Sequence, residues 1–398
     1  MLKRVEAAED QDAPTVVDPE DAAESAGLVY VHDDREPGIT RRRSGAGWSF
    51  RAPDGRAIKD RATIERINKL AIPPAYTDVW ICPSDKGHIQ ATGRDDKGRK
   101  QYRYHAAFRE VRDSAKYEHV TVFAAALPQI RATVKRHMAQ HGLPRQKVLA
   151  TVVYLLETTL IRVGNEGYAK HNQSYGLTTL EDRHVDAHGA DLRFEFKGKS
   201  NKMWKLKVHD KRVAKIVKAC HDLPGQHLFQ YVDRDGHTHA VSSHDVNEYL
   251  REVTGRDVSA KDFRTWAGTV LAALALHEFG TIDTEAKAKK NVRAAIERVS
   301  ARLGNTPTIC RKCYVHPAVV NSYMAGDLLL EIKEEVDAEL RDELPRLKPE
   351  EVAVLTLLER RIAHDLAEKA ELKAGKAGAK KAAKPRKPGT SARRAEAA

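Results

Sequence analysis

The chain has little cysteine: Cys82, Cys220, Cys310 and Cys313 are the only four in 398 residues. That number excludes a small scaffold held together by disulfides. Cys310-Arg-Lys-Cys313 has the C-x-x-C spacing of a redox or zinc half-site. A structural zinc needs a second pair of ligands, and no other close Cys/His cluster provides one. All four are expected as reduced thiols, and no metal is expected. No apolar run reaches the roughly 18 residues of a membrane span, and no apolar block follows the first methionine. A soluble cytoplasmic protein with no membrane partner is the expectation. A G-x-x-x-x-G-K-[ST] phosphate loop is also missing, as is any acidic cluster resembling a two-metal site. Fixed-period repeats are absent too.

What is present is positive charge, +12 over the whole chain. Its distribution is uneven. Residues 1–27 hold eight Asp/Glu against Lys3 and Arg4, and residues 373–398 hold nine Lys/Arg against Glu396. The segment between them therefore carries +10 of its own, which suits a polyanionic partner. The acidic, Ala-rich start and the Lys/Ala/Pro/Gly-rich end are both expected to be disordered. The basic tail either solubilises the chain or adds sequence-blind, salt-dependent affinity for phosphates.

Between the tails the pattern changes once. Residues 28–110 contain short β-favouring runs, Val29-Tyr30-Val31, Trp48-Ser49-Phe50 and Val79-Trp80-Ile81, separated by Pro, Gly and Asp turns. One amphipathic helix is predicted over Ile64–Ala71, stopped by Pro73-Pro74. From about residue 111 the spacing becomes helical, with helices predicted over 122–141, 146–162, 244–253, 265–278, 284–303, 317–340 and 349–370. A hairpin interrupts them. Leu192-Arg-Phe-Glu-Phe196 and Trp204-Lys-Leu-Lys-Val208 alternate apolar and polar, flanking the basic tip Lys197–Lys202. The fold class read from this is α+β: a small β-rich N-terminal domain (28–110) and a mainly helical domain (111–328) carrying the hairpin. A helical extension (329–372) follows.

Several residues carry chemistry but are ambiguous singly. Arg162 closes an apolar helix, where a guanidinium needs an anion; Glu157 or Glu166 could supply one internally, or a bound phosphate could. Arg264, in Lys261-Asp-Phe-Arg-Thr-Trp266, poses the same question. Lys199 sits at the hairpin tip. Asn305 follows Gly304 and precedes Thr306-Pro307, an N-cap and first-turn pair. Tyr314 is one of twelve tyrosines, favoured only by its cationic neighbours Arg311 and Lys312.

In order, however, Arg162-Val-Gly, Gly198-Lys199, Lys261-Asp-Phe-Arg264-Thr and Gly304-Asn-Thr-Pro-Thr-Ile-Cys-Arg-Lys-Cys-Tyr314 resemble the active-site series of the type IB DNA topoisomerases. The likeness is greatest to the compact bacterial and poxvirus-type branch and covers about residues 28–328. A second block, Gly93-Arg-Asp-Asp-Lys97-Gly-Arg99-Lys-Gln101-Tyr102-Arg-Tyr104, resembles the stretch by which that family's N-terminal domain touches DNA.

The resemblance implies that 111–328 is a catalytic domain with Tyr314 as nucleophile, forming a 3′-phosphotyrosyl intermediate. Arg162 and Arg264 would bind the non-bridging oxygens, and Lys199 would protonate the departing 5′ oxygen. Asn305 stands where poxvirus and nuclear members carry histidine; it can donate a hydrogen bond but not a charge. Lys97, Arg99, Gln101, Tyr102, Tyr104 and Tyr168 would contact DNA. The implied protein is a nucleoid-associated monomer clamping supercoiled duplex, without ATP, metal or cofactor. Two other readings remain. A tyrosine recombinase shares this chemistry, although recombinases usually have His where Lys261 stands. A non-catalytic DNA-compacting protein would also use the basic tail.

Overall fold

The computed structural model describes residues 18–45, 47–280, 284–328 and 347–382. Its first part is a five-stranded antiparallel sheet in the order β2-β1-β3-β4-β5, comprising β1 (Ile39–Ser44), β2 (Gly47–Arg51), β3 (Thr77–Ile81), β4 (Ile89–Arg94) and β5 (Lys100–Tyr104). Ile39, Phe50, Ile81 and Ala91 line one face, against Ile67 of the predicted amphipathic helix, here α2 (Arg61–Lys69). The sequence Ile-Thr-Arg-Arg-Arg-Ser of β1 does not look like a strand. It becomes one because Arg41 lies 4.1 Å over the Trp48 ring and donates to the carbonyls of Ile72, Pro73 and Tyr76. The stem thus packs while every donor used finds an oxygen. Val29–Val31, expected as a strand, forms only one isolated bridge, Val29 to Gly87.

Two expectations of disorder need correction. Residues 18–27 are ordered: α1 (Pro19–Ser25) starts at the Asp18 N-cap with Pro19 in its first turn and buries Ala22 and Ala23 against Phe108. Acidic composition over the whole segment conceals two small residues that fit closely against a neighbouring helix. Similarly, residues 373–382 continue a helix rather than beginning the tail. Residues 1–17 and 383–398 lie outside the described part.

The helical part begins earlier than expected, with α3 (Ala106–Met138), capped by the His105 side chain. It packs on α4 (Arg145–Thr159), in which Val148, Leu149, Val152, Val153, Leu155 and Leu156 are all buried. Each such side chain contributes about 1.5–3 kcal/mol of hydrophobic stabilisation. After α5 (Glu166–Asn172) comes a three-stranded antiparallel sheet: β6 (Val185–His188), β7 (Asp191–Lys197) and β8 (Met203–His209). The predicted hairpin is β7–β8, in register Phe194 to Leu206 and Phe196 to Trp204. Then follow α6 (Lys211–His221), the small ribbon β9 (Gln230–Val232) and β10 (Thr238–Ala240), and α7 (Ser243–Thr254).

Helices α8 (Ala260–His277), α9 (Glu285–Leu303), α10 (Pro307–Cys313) and α11 (Pro317–Ala325) complete the core. α11 stops well short of the predicted residue 340, because Gly326 takes the left-handed C-cap conformation (φ 82°). The remainder of that predicted helix lies outside the described residues. Helix α12 (Pro349–Ala382) returns to pack on α3 and α8, burying Val354 and Leu358.

Candidate active site

The irregular segment after α4 and the N-terminal end of α8 meet here. Helix α4 ends on Leu160, which adopts the left-handed conformation (φ 58°). A branched side chain there costs about 1–2 kcal/mol. The turn aims the Leu160 carbonyl at a Nη1 donor of Arg264 and sends the chain on to Arg162 two residues later. Strain of this kind persists where the surroundings hold it, commonly at functional positions.

Arg264 sits in the first turns of α8, a helix started by the Ser259/Asp262 capping box. Asp262 also faces His119 of α3 at 3.4 Å. Burial disfavours the charged imidazole, but the hydrogen bond and charge of Asp262 prevail and raise its pKa. Arg264 is only 3% exposed, and its second terminal nitrogen donates to the Leu303 carbonyl at 2.7 Å. Burial, reinforced by the Arg162 charge and opposed by the Tyr314 phenol, lowers its pKa to about 10. It is therefore still a cation at neutral pH.

Neither Arg162 nor Arg264 has an acidic partner among the described residues. The carboxylates that sequence reasoning offered are engaged elsewhere: Glu157 pairs with Arg131 at 2.6 Å and Glu166 with Lys170 at 3.1 Å. Arg162 instead donates to the Asn305 Oδ1, and the Asn305 Nδ2 is buried without a partner among the described residues. The Arg264 Nε is likewise buried with no hydrogen-bond acceptor among the described residues. A buried donor or cation without an anion is costly. Two guanidiniums and an amide with free donors make a site shaped for an incoming oxyanion.

The Tyr314 ring lies at this site, 5.1 Å from the Arg264 guanidinium carbon. Tyr314 is the C-cap of α10, whose N-terminus has the predicted Thr306 cap and Pro307 first-turn residue. Its carbonyl accepts from Thr269 Oγ1 at 3.4 Å, and that hydroxyl also receives the His316 backbone N–H at 3.1 Å. From the other side, the Tyr117 hydroxyl of α3 donates to the Lys312 carbonyl at 3.0 Å. Arg162, Arg264, Asn305 and Tyr314 thus come together. Lys199 is exposed at the β7–β8 tip, in a single 3₁₀ turn, Lys199–Asn201, and makes no hydrogen bond or ion pair with the other four among the described residues.

Comparison with known proteins decides what this arrangement belongs to. The sequence model of the eukaryotic DNA topoisomerase I catalytic core matches residues 105–344, and that of the bacterial DNA topoisomerase IB N-terminal domain matches 47–95. The chain belongs to the type IB DNA topoisomerase family. It is 31% identical over 285 residues to DNA topoisomerase 1B of Acanthamoeba polyphaga mimivirus, a match covering 70% of this chain and 85% of the viral protein. DNA topoisomerase 1B of vaccinia virus (strain Copenhagen) is 22% identical over 272 residues, covering 66% and 82%. DNA topoisomerase 1 of rabbit fibroma virus is 23% identical over 305 residues, covering 70% and 90%. The protein is therefore a DNA topoisomerase, an isomerase whose substrate is DNA, and the recombinase and compaction readings are set aside.

In this topoisomerase the six expected DNA contacts are not equivalent. Lys97 is exposed in the turn that closes β4–β5. Arg99 and Gln101 are both held by Asp95, at 2.6 Å and 3.0 Å. The pKa of Arg99 is raised chiefly by that hydrogen bond to Asp95, with a further contribution from the phenols of Tyr168 and Tyr76. Tyr168, 43% exposed on α5, is therefore within electrostatic reach of the N-terminal block. Tyr102 and Tyr104 stack on each other with ring centroids 5.8 Å apart, and Tyr104 also stacks on Phe108 at 5.4 Å. These two rings help build the sheet's second core face, a role that the motif alone does not reveal.

Sequence reasoning also missed Gly268. It stands one helical turn after Arg264, and a Cβ there would lie 2.5 Å from the Tyr314 carbonyl oxygen and 3.1 Å from its Cβ. A glycine inside a long helix is the available signal, since it costs about 1 kcal/mol relative to alanine. Gly268→Ala should improve helix propensity yet push the Tyr314 backbone away. Displacements of this size cost on the order of 10²-fold in rate. Single-turnover cleavage should slow to that degree, and the melting temperature should fall modestly, because overpacking of about 1–3 kcal/mol outweighs the propensity gain.

Proposed function

We propose that the topoisomerase relaxes supercoiled DNA by transient cleavage of one strand through Tyr314. The phenolic oxygen, giving up its proton to solvent, attacks the phosphorus, the P–O5′ bond breaks, and a 3′-phosphotyrosyl bond forms. Lys199 gives its proton to the departing 5′ oxygen. Arg162 and Arg264 hold the non-bridging oxygens, on which charge collects in phosphoryl transfer. The free Nδ2 of Asn305 donates to one of them, a neutral contribution where a histidine would bring charge. The strand then rotates and the 5′ hydroxyl reverses the attack.

The observation carrying this reading is the pair of guanidiniums with no acidic partner among the described residues, Arg264 being 3% exposed with its guanidinium carbon 5.1 Å from the Tyr314 ring centre. They provide the fixed positive charge that the reaction needs. The covalent intermediate keeps the energy of the phosphodiester, so resealing requires no ATP. We read the enzyme as a monomer whose sheet and helical parts (28–110 and 111–328) close around the duplex on nucleoid DNA, with Lys97, Arg99, Gln101, Tyr102, Tyr104 and Tyr168 toward it. Its test is relaxation of supercoiled plasmid in EDTA without nucleotide, followed by denaturant trapping on DNA and mapping of the modified residue. Relaxation that depended strongly on ATP or Mg²⁺, or an adduct on another tyrosine, would overturn it.

A further inference from the structure

Lys199 and Asn305 belong to different parts of the chain, and among the described residues no hydrogen bond joins one to the other. Both follow a glycine, and both glycines face the same side chain. A Cβ on Gly198 would lie 2.6 Å from Nε1 and 2.7 Å from Cδ1 of Trp204; a Cβ on Gly304 would lie 2.4 Å from its Cζ2. The pyrrole edge of one indole therefore supports the hairpin tip, and the benzo edge supports the turn before α10. Approaches this close leave room only for glycine.

Trp204 is itself firmly held. It is 8% exposed and lies parallel to Phe196, its cross-strand partner, with an interplanar angle of 1° and centroids 6.3 Å apart. The tip is also held on its other side, where the Ser174 hydroxyl donates to the Gly198 carbonyl at 3.1 Å and Gly198 N–H donates to the Lys202 carbonyl at 2.8 Å. Ser200 and Asn201 complete the turn in left-handed conformations, φ 62° and 58°. An exposed lysine on a flexible stem gains direction only from the backbone beneath it, so whatever sets Gly198 sets Lys199.

We propose that Trp204 is a positioning residue that seats the Lys199 tip and the Asn305 turn against opposite edges of one indole, setting the proton donor and the amide donor relative to the same phosphate. The proposal rests on the roles given above to Lys199 and Asn305. Small displacements of catalytic groups cost on the order of 10²-fold, and loss of a general acid costs about 10²–10⁴-fold.

The test is single-turnover cleavage of two DNA substrates that differ in one atom. One has the ordinary 5′ bridging oxygen; the other has sulfur there, and a thiolate leaves without needing a proton. Trp204→Ala should cleave the oxygen substrate about 10²-fold more slowly and recover most of that loss with sulfur, keeping a smaller deficit from the displaced Asn305. Gly198→Ala is the second variant, in case the first fails to fold. Its φ of −96° suits any residue, so its only fault is the methyl that meets the indole, and it should show the same slowing and the same rescue. Lys199→Ala is the reference. If it is rescued by sulfur and the two other variants are not, Trp204 does not act through Lys199 and the inference fails while the proposed chemistry stands. If Lys199→Ala itself is not rescued, the proton-donor assignment fails first and takes the inference with it. Wild-type rates in both variants would equally overturn the proposal.

Discussion

Tyr314→Phe should abolish the covalent adduct and lower plasmid relaxation by about 10⁴-fold or more, because in the proposed mechanism the phenolic oxygen of Tyr314 forms the bond to phosphorus. The ring that lies 5.1 Å from the Arg264 guanidinium carbon remains. So do the backbone contacts of residue 314 with Thr269 and Cys310. The variant should therefore fold and bind duplex DNA with wild-type salt dependence, since that affinity comes from the cationic surface. Filter binding and denaturant trapping, run side by side, separate the two effects. Relaxation that survived in the variant would show that the nucleophile is another residue.

The second large effect is on stability and lies far from the nucleophile. Glu351, at the start of α12 and 7% exposed, accepts from both terminal nitrogens of Arg131 at 2.9 Å, from Trp266 Nε1 at 3.3 Å and from the Lys348 backbone at 2.8 Å. Removing one member of a buried pair costs about 3–5 kcal/mol, because the other charge is left uncompensated. Arg131 keeps Glu157, so Glu351→Ala should lie near the lower end, about 3 kcal/mol. That corresponds to a fall in melting temperature of roughly 5–6 °C in a unit of this size.

The pH dependence has a definite sign. Burial alone would raise the Glu351 pKa, but Arg131 outweighs it and brings the value below 4.5. The contribution is therefore complete above that ordinary value and is lost as pH falls through the lowered one. Glu351→Gln should show a correspondingly shallower loss of stability in acid, read from melting curves between neutral pH and pH 3. Cleavage should slow as well, since Trp266 stands two residues after Arg264 on α8. An unchanged melting temperature in Glu351→Ala would mean that the network contributes nothing.

Much of the site was legible because its residues keep a fixed order along the chain, and order survives where single residues are ambiguous. Arg162 on its own pointed as readily to Glu157 or Glu166; only the fold shows both carboxylates paired elsewhere. The hairpin and α10 were readable from alternation and from Thr306-Pro307, which are local signals. Trp204 was visible only as one apolar position in a strand, because its contacts with Gly198 and Gly304 join segments about a hundred residues apart in sequence. β1 was hidden by its three arginines, of which Arg41 finds its partners in the carbonyls of the segment before β3 and in the Trp48 ring of β2. The basic block after Gly93 was recognised as a motif, but Asp95, which holds Arg99 and Gln101, was counted only as one more charge.

The unpaired guanidiniums have a thermodynamic counterpart. Arg162 and Arg264 repel each other, and before substrate arrives no anion among the described residues offsets that repulsion. On the chemistry proposed above, a phosphate held between the two guanidiniums would offset that repulsion and stabilise the folded enzyme. Binding and folding would then be linked at this point: each strand occupying the site would raise the melting temperature, and each departure would restore the repulsion. DNA would act there as the counter-ion of the core as well as its substrate.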